Sequence, residues 1–179
     1  MIVAITGVSG TGKTAVSRIL QKRLKWKLVR PDEVAEKKKL YLGYDKRRKS
    51  LIVDLGRLKK EISRTAQNKP GVNVIIESLY AHFFDADLAV VLRCDPKTLE
   101  RRLRRKYSWH TKITENKEAE MMGLISQEAV EKFGERKVFE FDTTRSTPGQ
   151  TANQIVRMLK NKRYGDRHRV GRIDWTGKL

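Results

Sequence analysis

The chain has 179 residues, with 40 Lys and Arg against 21 Asp and Glu, a formal charge of +19. Hydrophobic residues make up 39%, too many for a disordered chain and enough for one core. A lone cysteine, Cys94, excludes an internal disulfide framework and fits a reducing compartment. No apolar run has the ~20 residues of a membrane span, and no basic segment precedes Ile2, so a cytoplasmic protein without a signal peptide is expected. The charge points to a polyanionic partner without saying which.

Ile2 to Thr6 is a β-branched apolar run bounded by Gly7, the mark of a buried parallel strand. Val16, Ile19, Leu20 and Leu24 then recur at helical spacing. Lys27 to Val29 predicts a short strand, and Pro31 opens a helix. Leu40 to Asp45 reads as a loop. A helix is expected from Asp54 to Gln67, stopped by Asn68 to Gly71. Val72 to Ile76, ending in Glu77 and Ser78, and Leu88 to Leu92 are two more strands. Pro96 opens a helix with Leu99 and Leu103. One long helix is expected from Thr114 to Phe133, ended by Gly134, then a strand from Val138 to Phe141 and a helix from Pro148. Strands alternating with helices predict an α/β fold, a mostly parallel sheet of about five strands. From Asn161 the periodicity fails, and residues 161–179 read as a basic appendage to one domain of residues 1–160.

Between the first strand and helix stands Gly7-Val8-Ser9-Gly10-Thr11-Gly12-Lys13-Thr14, which fits G-x-x-x-x-G-K-[ST] without mismatch. Gly10 and Gly12 let backbone N–H groups curl around phosphate oxygens, and the helix N-terminus adds partial positive charge. Lys13 suits the β- and γ-phosphates, and the Thr14 hydroxyl suits Mg²⁺. Glu77, at the carboxyl end of its strand, is placed to hold Mg²⁺ through water or to orient a nucleophile. An ordinary strand-end acid is the alternative. His82, His110 and His168 lack metal-ligand spacing, though His82 follows Glu77 closely enough to reach a shared site.

Three clusters carry much of the charge. Residues 37–49 hold seven Lys and Arg, residues 101–106 hold five, and the tail holds six. Arg101, Arg104 and Arg105 on one side of a helix end would close over transferring phosphate; a solvated face is the plainer reading. In the tail, Tyr164 and Trp175 among arginines suit RNA, against a frayed terminus.

The phosphate loop together with Leu40-Tyr41-Leu42-Gly43-Tyr44-Asp45, Val74-Ile75-Ile76-Glu77, Val91-Leu92-Arg93-Cys94-Asp95 and Lys112-Ile113-Thr114-Glu115-Asn116 resembles a known family. It is that of the small adenylate kinase-like proteins of archaea and the eukaryotic nucleus, the adenylate kinase isoenzyme six type. The resemblance covers roughly residues 1–160, and Val170 to Trp175 looks archaeal. It implies a three-layer nucleoside-monophosphate-kinase fold with a short lid, phosphate transfer from ATP with Mg²⁺ to a monophosphate, AMP favoured, and ATPase activity. It also implies work in small ribosomal subunit maturation, with a ribosomal protein and rRNA as partners. By position it puts ATP on Gly10, Thr11, Gly12, Lys13, Thr14 and Ala15. The monophosphate falls near residues 30–53, with Arg30, Asp32 and Arg57 as candidates. The lid falls near residues 105–115, where Arg105 and Lys106 join Lys13 and Glu77 as catalytic candidates. The family's Asp-x-His stretch reads Glu77-Ser78-Leu79 here, which implies weaker ATPase activity or compensation by His82. An ATP-switched assembly factor with little kinase activity and a kinase for a non-nucleotide acceptor fit the same loop.

Overall fold

The computed structural model describes residues 1–46, 50–67, 71–107 and 110–177, with the side chain of Gln67 excepted. Five strands form one sheet: β1 (Ile2–Thr6), β2 (Lys27–Val29), β5 (Val74–Glu77), β6 (Leu88–Arg93) and β7 (Val138–Asp142). Its order is β2-β5-β1-β6-β7, and every neighbouring pair is parallel. Parallel strands are covered on both faces, so their apolar runs are continuous. Side chains alternate across the sheet and feed two clusters. Val3, Ile5 and Ile75 pack with Val16 and Leu20 of α1 (Lys13–Leu24) and with Ala152 and Ile155 of α7 (Pro148–Lys160). Ala4, Ile76 and Val91 pack on the other face. There they meet α2 (Pro31–Lys38), α3 (Leu55–Gln67), α4 (Pro96–Arg104), α5 (His110–Met121) and α6 (Leu124–Phe133). The chain is thus a three-layer sandwich, as the sequence predicted.

Three expectations need correction. Leu40 to Asp45 is not a loop: β3 (Tyr41–Asp45) pairs antiparallel with β4 (Ser50–Val53) as a separate hairpin. The long helix of residues 114–133 is two helices, because Gly123 adopts φ 64° and serves as the N-cap of α6. The third concerns the tail, which folds onto the domain. Asn161 caps the short α8 (Lys162–Gly165), and Arg169 forms an isolated antiparallel bridge with Phe139. Trp175 is buried against α5. The expected stop at residues 68–70, Trp109 and residues 47–49 of the first basic cluster lie outside the described residues.

A buried ion cluster fastens the tail. Arg93, on β6, donates through Nε to Glu120 Oε1 at 2.7 Å and through Nη1 to Glu140. Glu120 Oε1 also accepts from the Cys94 amide at 3.0 Å and from Trp175 Nε1 at 3.2 Å. Glu140 accepts from Ser126 Oγ at 2.6 Å and from the Gly171 amide at 3.0 Å. Burial raises the Glu120 carboxyl's pKa, opposed by Arg93. Each charge is desolvated, so the cluster holds only while every partner is present.

Replacing Trp175 with alanine removes a large buried ring and the donor to Glu120. Chemical denaturation of Trp175→Ala should show a loss of about 3 kcal/mol; an unchanged midpoint would place the tail outside the cooperative unit.

Candidate functional site

The carboxyl ends of β1, β5 and β6 lie side by side, with Ile5 opposite Glu77 and Thr6 opposite Val91. In open α/β sheets that edge is where ligands bind. Residues 7–12 leave β1 there and turn into α1. Gly10 has φ 88°, and a Cβ on it would stand 3.0 Å from the Leu99 and Leu103 side chains of α4. Its missing side chain therefore lets the loop lie on α4 as well as curl. Thr11 is buried, with Oγ1 donating to the Val8 carbonyl at 2.9 Å, so its side chain braces the loop. Lys13 Nζ donates to the Gly7 carbonyl at 2.7 Å and the Val8 carbonyl at 3.0 Å. Ala15 lies exposed in the first turn of α1. Burial lowers the Lys13 pKa to about 8, with the Lys106 charge adding to the fall and Glu77 opposing it.

Glu77 joins two parts of the chain that are distant in sequence. Its Oε1 accepts from Thr14 Oγ1 at 3.1 Å, and its Oε2 accepts from Arg30 Nε at 3.0 Å. Only 5% of Glu77 is exposed, and these two bonds supply the partners a buried carboxyl needs. A hydroxyl and a carboxylate oxygen this close are hard donors of the kind Mg²⁺ takes alongside nucleotide phosphates, so the pair fits the ion. Arg30 is the N-cap residue of α2 and also pairs with Glu33. Beside it, Asp32 accepts from the Tyr80 hydroxyl and from Ser78 Oγ at 3.4 Å. Burial and the Asp32 carboxylate raise the Tyr80 pKa. Arg57 is exposed in the first turn of α3, and its amide donates to Asp54 Oδ1 at 2.9 Å. None of its described contacts is with the loop, Glu77 or Arg30.

The turn after α4, where the lid is expected, also meets the loop. Lys106 Nζ donates to Ser9 Oγ at 3.3 Å, and the Tyr107 hydroxyl lies 3.0 Å from the same oxygen. Asn116 Oδ1, on α5, accepts from the Ser9 amide at 3.0 Å. Arg105 is exposed in the turn after α4. Arg101 bonds Thr98 and Arg104 pairs with Glu100, so neither turns toward the loop. Arg102 does. Its Nη1 lies 3.5 Å from the Gly10 carbonyl, and its Nη2 donates to the Thr143 carbonyl at 2.7 Å. It closes one side of a groove of about 280 Å³ that Gly12, Val16, Thr143 and Pro148 also line. The sequence held a signal for this. Arg102 flanks the Leu99 and Leu103 stripe, which faces the loop, whereas Arg101 and Arg104 lie farther round the helix.

His82 does not reach the loop's phosphate-facing side. Its Nδ1 lies 2.9 Å from Thr6 Oγ1 and its Nε2 3.0 Å from Glu128 Oε2, so both ring nitrogens are engaged. Burial lowers its pKa, opposed by Glu128. Leu79 is 42% exposed in its turn. Among the described residues, no group of three or more His, Cys, Asp or Glu is arranged to hold a metal ion, and no helix is long and apolar enough to cross a membrane.

A family model described as an AAA domain matches residues 3–123. A protein of Methanosarcina acetivorans described as “Putative adenylate kinase” is 34% identical over 188 residues, spanning 100% of both chains. One of Thermococcus kodakarensis with the same description is 34% identical, across 98% of this chain and 93% of the relative. The chain therefore belongs to this archaeal adenylate kinase family. Two solved structures share the fold at low identity. A shikimate kinase from Bacteroides thetaiotaomicron has TM-score 0.58 at 19% identity, covering 90% of this chain and 99% of its own. A thymidylate kinase from Candida albicans has TM-score 0.60 at 16% identity, covering 92% of both chains.

The depressed Lys13 pKa has a consequence for binding. Nucleotide phosphates favour the charged ammonium, which the free protein loses as pH rises through about 8. ATP affinity should therefore weaken above that pH, by up to about tenfold per pH unit. Calorimetry near pH 9 in buffers of different ionisation enthalpy should show proton uptake on binding. Equal affinity on both sides of the Lys13 pKa would contradict this.

Proposed function

We propose that this member of the archaeal adenylate kinase family transfers the γ-phosphoryl group of ATP to a nucleoside monophosphate, with AMP as the favoured acceptor. The observation that carries the reading is the bridge from Thr14 through Glu77 to Arg30. One buried carboxylate ties the donor's phosphate loop to a cation at the start of the 30–53 segment. In this reading the ATP base enters the groove beside Arg102, and its phosphates take the loop amides. Lys13 turns from the Gly7 and Val8 carbonyls to the β- and γ-phosphates. Thr14 and Glu77 would hold Mg²⁺, which neutralises phosphate charge when bound. Arg30, freed from part of its pairing, orients the acceptor phosphate, with Asp32 beside it and Arg57 of α3 as a further candidate. An acceptor phosphate oxygen attacks the γ-phosphorus in line, and the bond to the β-phosphate oxygen breaks, leaving two diphosphates. Lys106, with Arg105 beside it, brings lid charge to the transferring group. Its ammonium is a point charge without a guanidinium's planar fork.

A second reading has specific support. Ser9 of the loop is bonded to Lys106, Tyr107 and Asn116, so nucleotide entry must rearrange the lid. Asn116 lies on α5, whose Glu120 holds Trp175 of the tail. The loop and the tail thus both touch α5, which supports reading the chain as a nucleotide-switched assembly factor for the small ribosomal subunit. Its hydrolytic arm is expected to be weak, since Leu79 stands where the family carries histidine and His82 is engaged elsewhere. A non-nucleotide acceptor, as for the shikimate kinase of the same fold, is the remaining alternative.

ADP formation from ATP should be measured with each nucleoside monophosphate in turn, with and without RNA. AMP should give the largest rate, and Lys13→Ala should lower it by at least about a hundredfold. A rate indifferent to every acceptor would sink the kinase reading and leave the switch.

A further inference from the structure

The two helical layers of the sandwich differ in charge. Residues 13–27 and 143–165, which include α1, α7 and most of the turn into the tail, hold eleven Lys and Arg and no Asp or Glu. Both helices pack on the same cluster, that of Val3, Ile5, Leu20, Ile75 and Ile155, and Tyr164 of α8 joins it. They therefore cover one face of the sheet. Arg23 stitches them together by donating to the Gly149 carbonyl at 3.2 Å. Arg18 and Lys22 are exposed one turn apart on α1, and Lys25 follows at its end. Arg157, Lys160 and Arg163 are exposed on α7 and α8. None of these six pairs with a carboxylate among the described residues. The other layer carries acids on α2, α3, α5 and α6, many of them in ion pairs.

A single-sign face costs stability through self-repulsion unless a partner relieves it. Its own chemistry narrows that partner. No large exposed hydrophobic residue stands on α1, α7 or α8, so the face has nothing to insert into a bilayer. Instead it has a groove of about 460 Å³ between α7 and α8, lined by Val156, Arg157, Lys160, Tyr164 and Arg167. The Arg157 guanidinium lies 5.5 Å from the centroid of the Tyr164 ring. Cations spaced along a helix suit successive phosphates, and a guanidinium beside an aromatic ring in a groove suits an unstacked base.

We infer that the face formed by α1, α7 and α8 is a binding surface for single-stranded nucleic acid, with phosphates along Arg18, Lys22 and Lys25 and a base in the groove beside Arg157 and Tyr164. It deepens the second reading above by giving an assembly factor a face for RNA. It does not depend on phosphoryl transfer, since the residues lie outside the loop, Glu77 and Arg30. Binding and turnover are therefore separate readouts, and one can fail without the other.

The test is fluorescence anisotropy of labelled single strands of about twenty nucleotides, RNA and DNA of one sequence, titrated with the full-length protein. Arg157→Glu/Lys160→Glu/Arg163→Glu and Arg18→Glu/Lys22→Glu/Lys25→Glu should each weaken binding by at least about tenfold and flatten its salt dependence between about 50 and about 200 mM. Lys59→Glu/Lys60→Glu/Lys97→Glu, with the same charge change on the other layer, should weaken it by less than about threefold. ATP affinity should stay at the wild-type value in all three, which also reports that they fold. Binding of either strand supports the surface, and the ratio of the two identifies the sugar it prefers. Equal losses in all three variants would reduce the effect to net charge and overturn the inference. So would binding to phosphatidylserine vesicles without binding to either strand.

Discussion

The contact on which the site depends is the Glu77 carboxylate, held between Thr14 and Arg30. It exists because β5 pairs with β1 in parallel, with Glu77 beside Ile5 just before the phosphate loop begins. A shift of one residue would turn Glu77 to the opposite face of the sheet. Residues of β1 and β5 alternate between the two clusters, Ala4 and Ile76 in one and Ile5 and Ile75 in the other, and this packing holds that register. Once it is fixed, the buried carboxylate is met by the Thr14 hydroxyl and the Arg30 guanidinium. The loop, the start of α2 and the end of β5 are thereby tied together.

A second buried charge organises the other side of the molecule. Arg93 gathers Glu120 of α5, Glu140 of β7 and, through Glu120, Trp175 of the tail. Several of the residues that carry the family resemblance are therefore architectural. Among the described residues Arg93 bonds no part of the phosphate loop, yet it anchors α5 through Glu120. α5 meets the loop through Asn116 and the ion cluster through Glu120, one turn further on.

The parallel sheet was legible in the sequence because strands covered on both faces leave uninterrupted apolar runs. The phosphate loop was legible because its chemistry fixes residue spacing. The hairpin of β3 and β4 was not. Leu42, Gly43, Tyr44, Leu51 and Ile52 are all exposed, so no alternation between core and solvent marks those strands. The break at Gly123 was hidden because apolar residues continue at helical spacing past it. The tail read as an appendage because one tryptophan and a few backbone contacts, rather than a periodic stripe, hold it down. Arg102 was passed over for its neighbours because helix phase, not charge density, decides which arginine of a cluster meets the loop. The charge layering needed the helices assigned to faces, since α1 and α7 are far apart in sequence.

The central claim is that donor and acceptor sites meet across Glu77. A bisubstrate analogue with two adenosines joined through five phosphates tests it most directly. By calorimetry it should bind as one molecule per chain and at least about a hundredfold more tightly than ATP, because linking makes the second contact intramolecular. Arg30→Ala should remove most of that gain while leaving ATP affinity within about threefold. Affinity for the analogue no greater than for ATP would contradict the account.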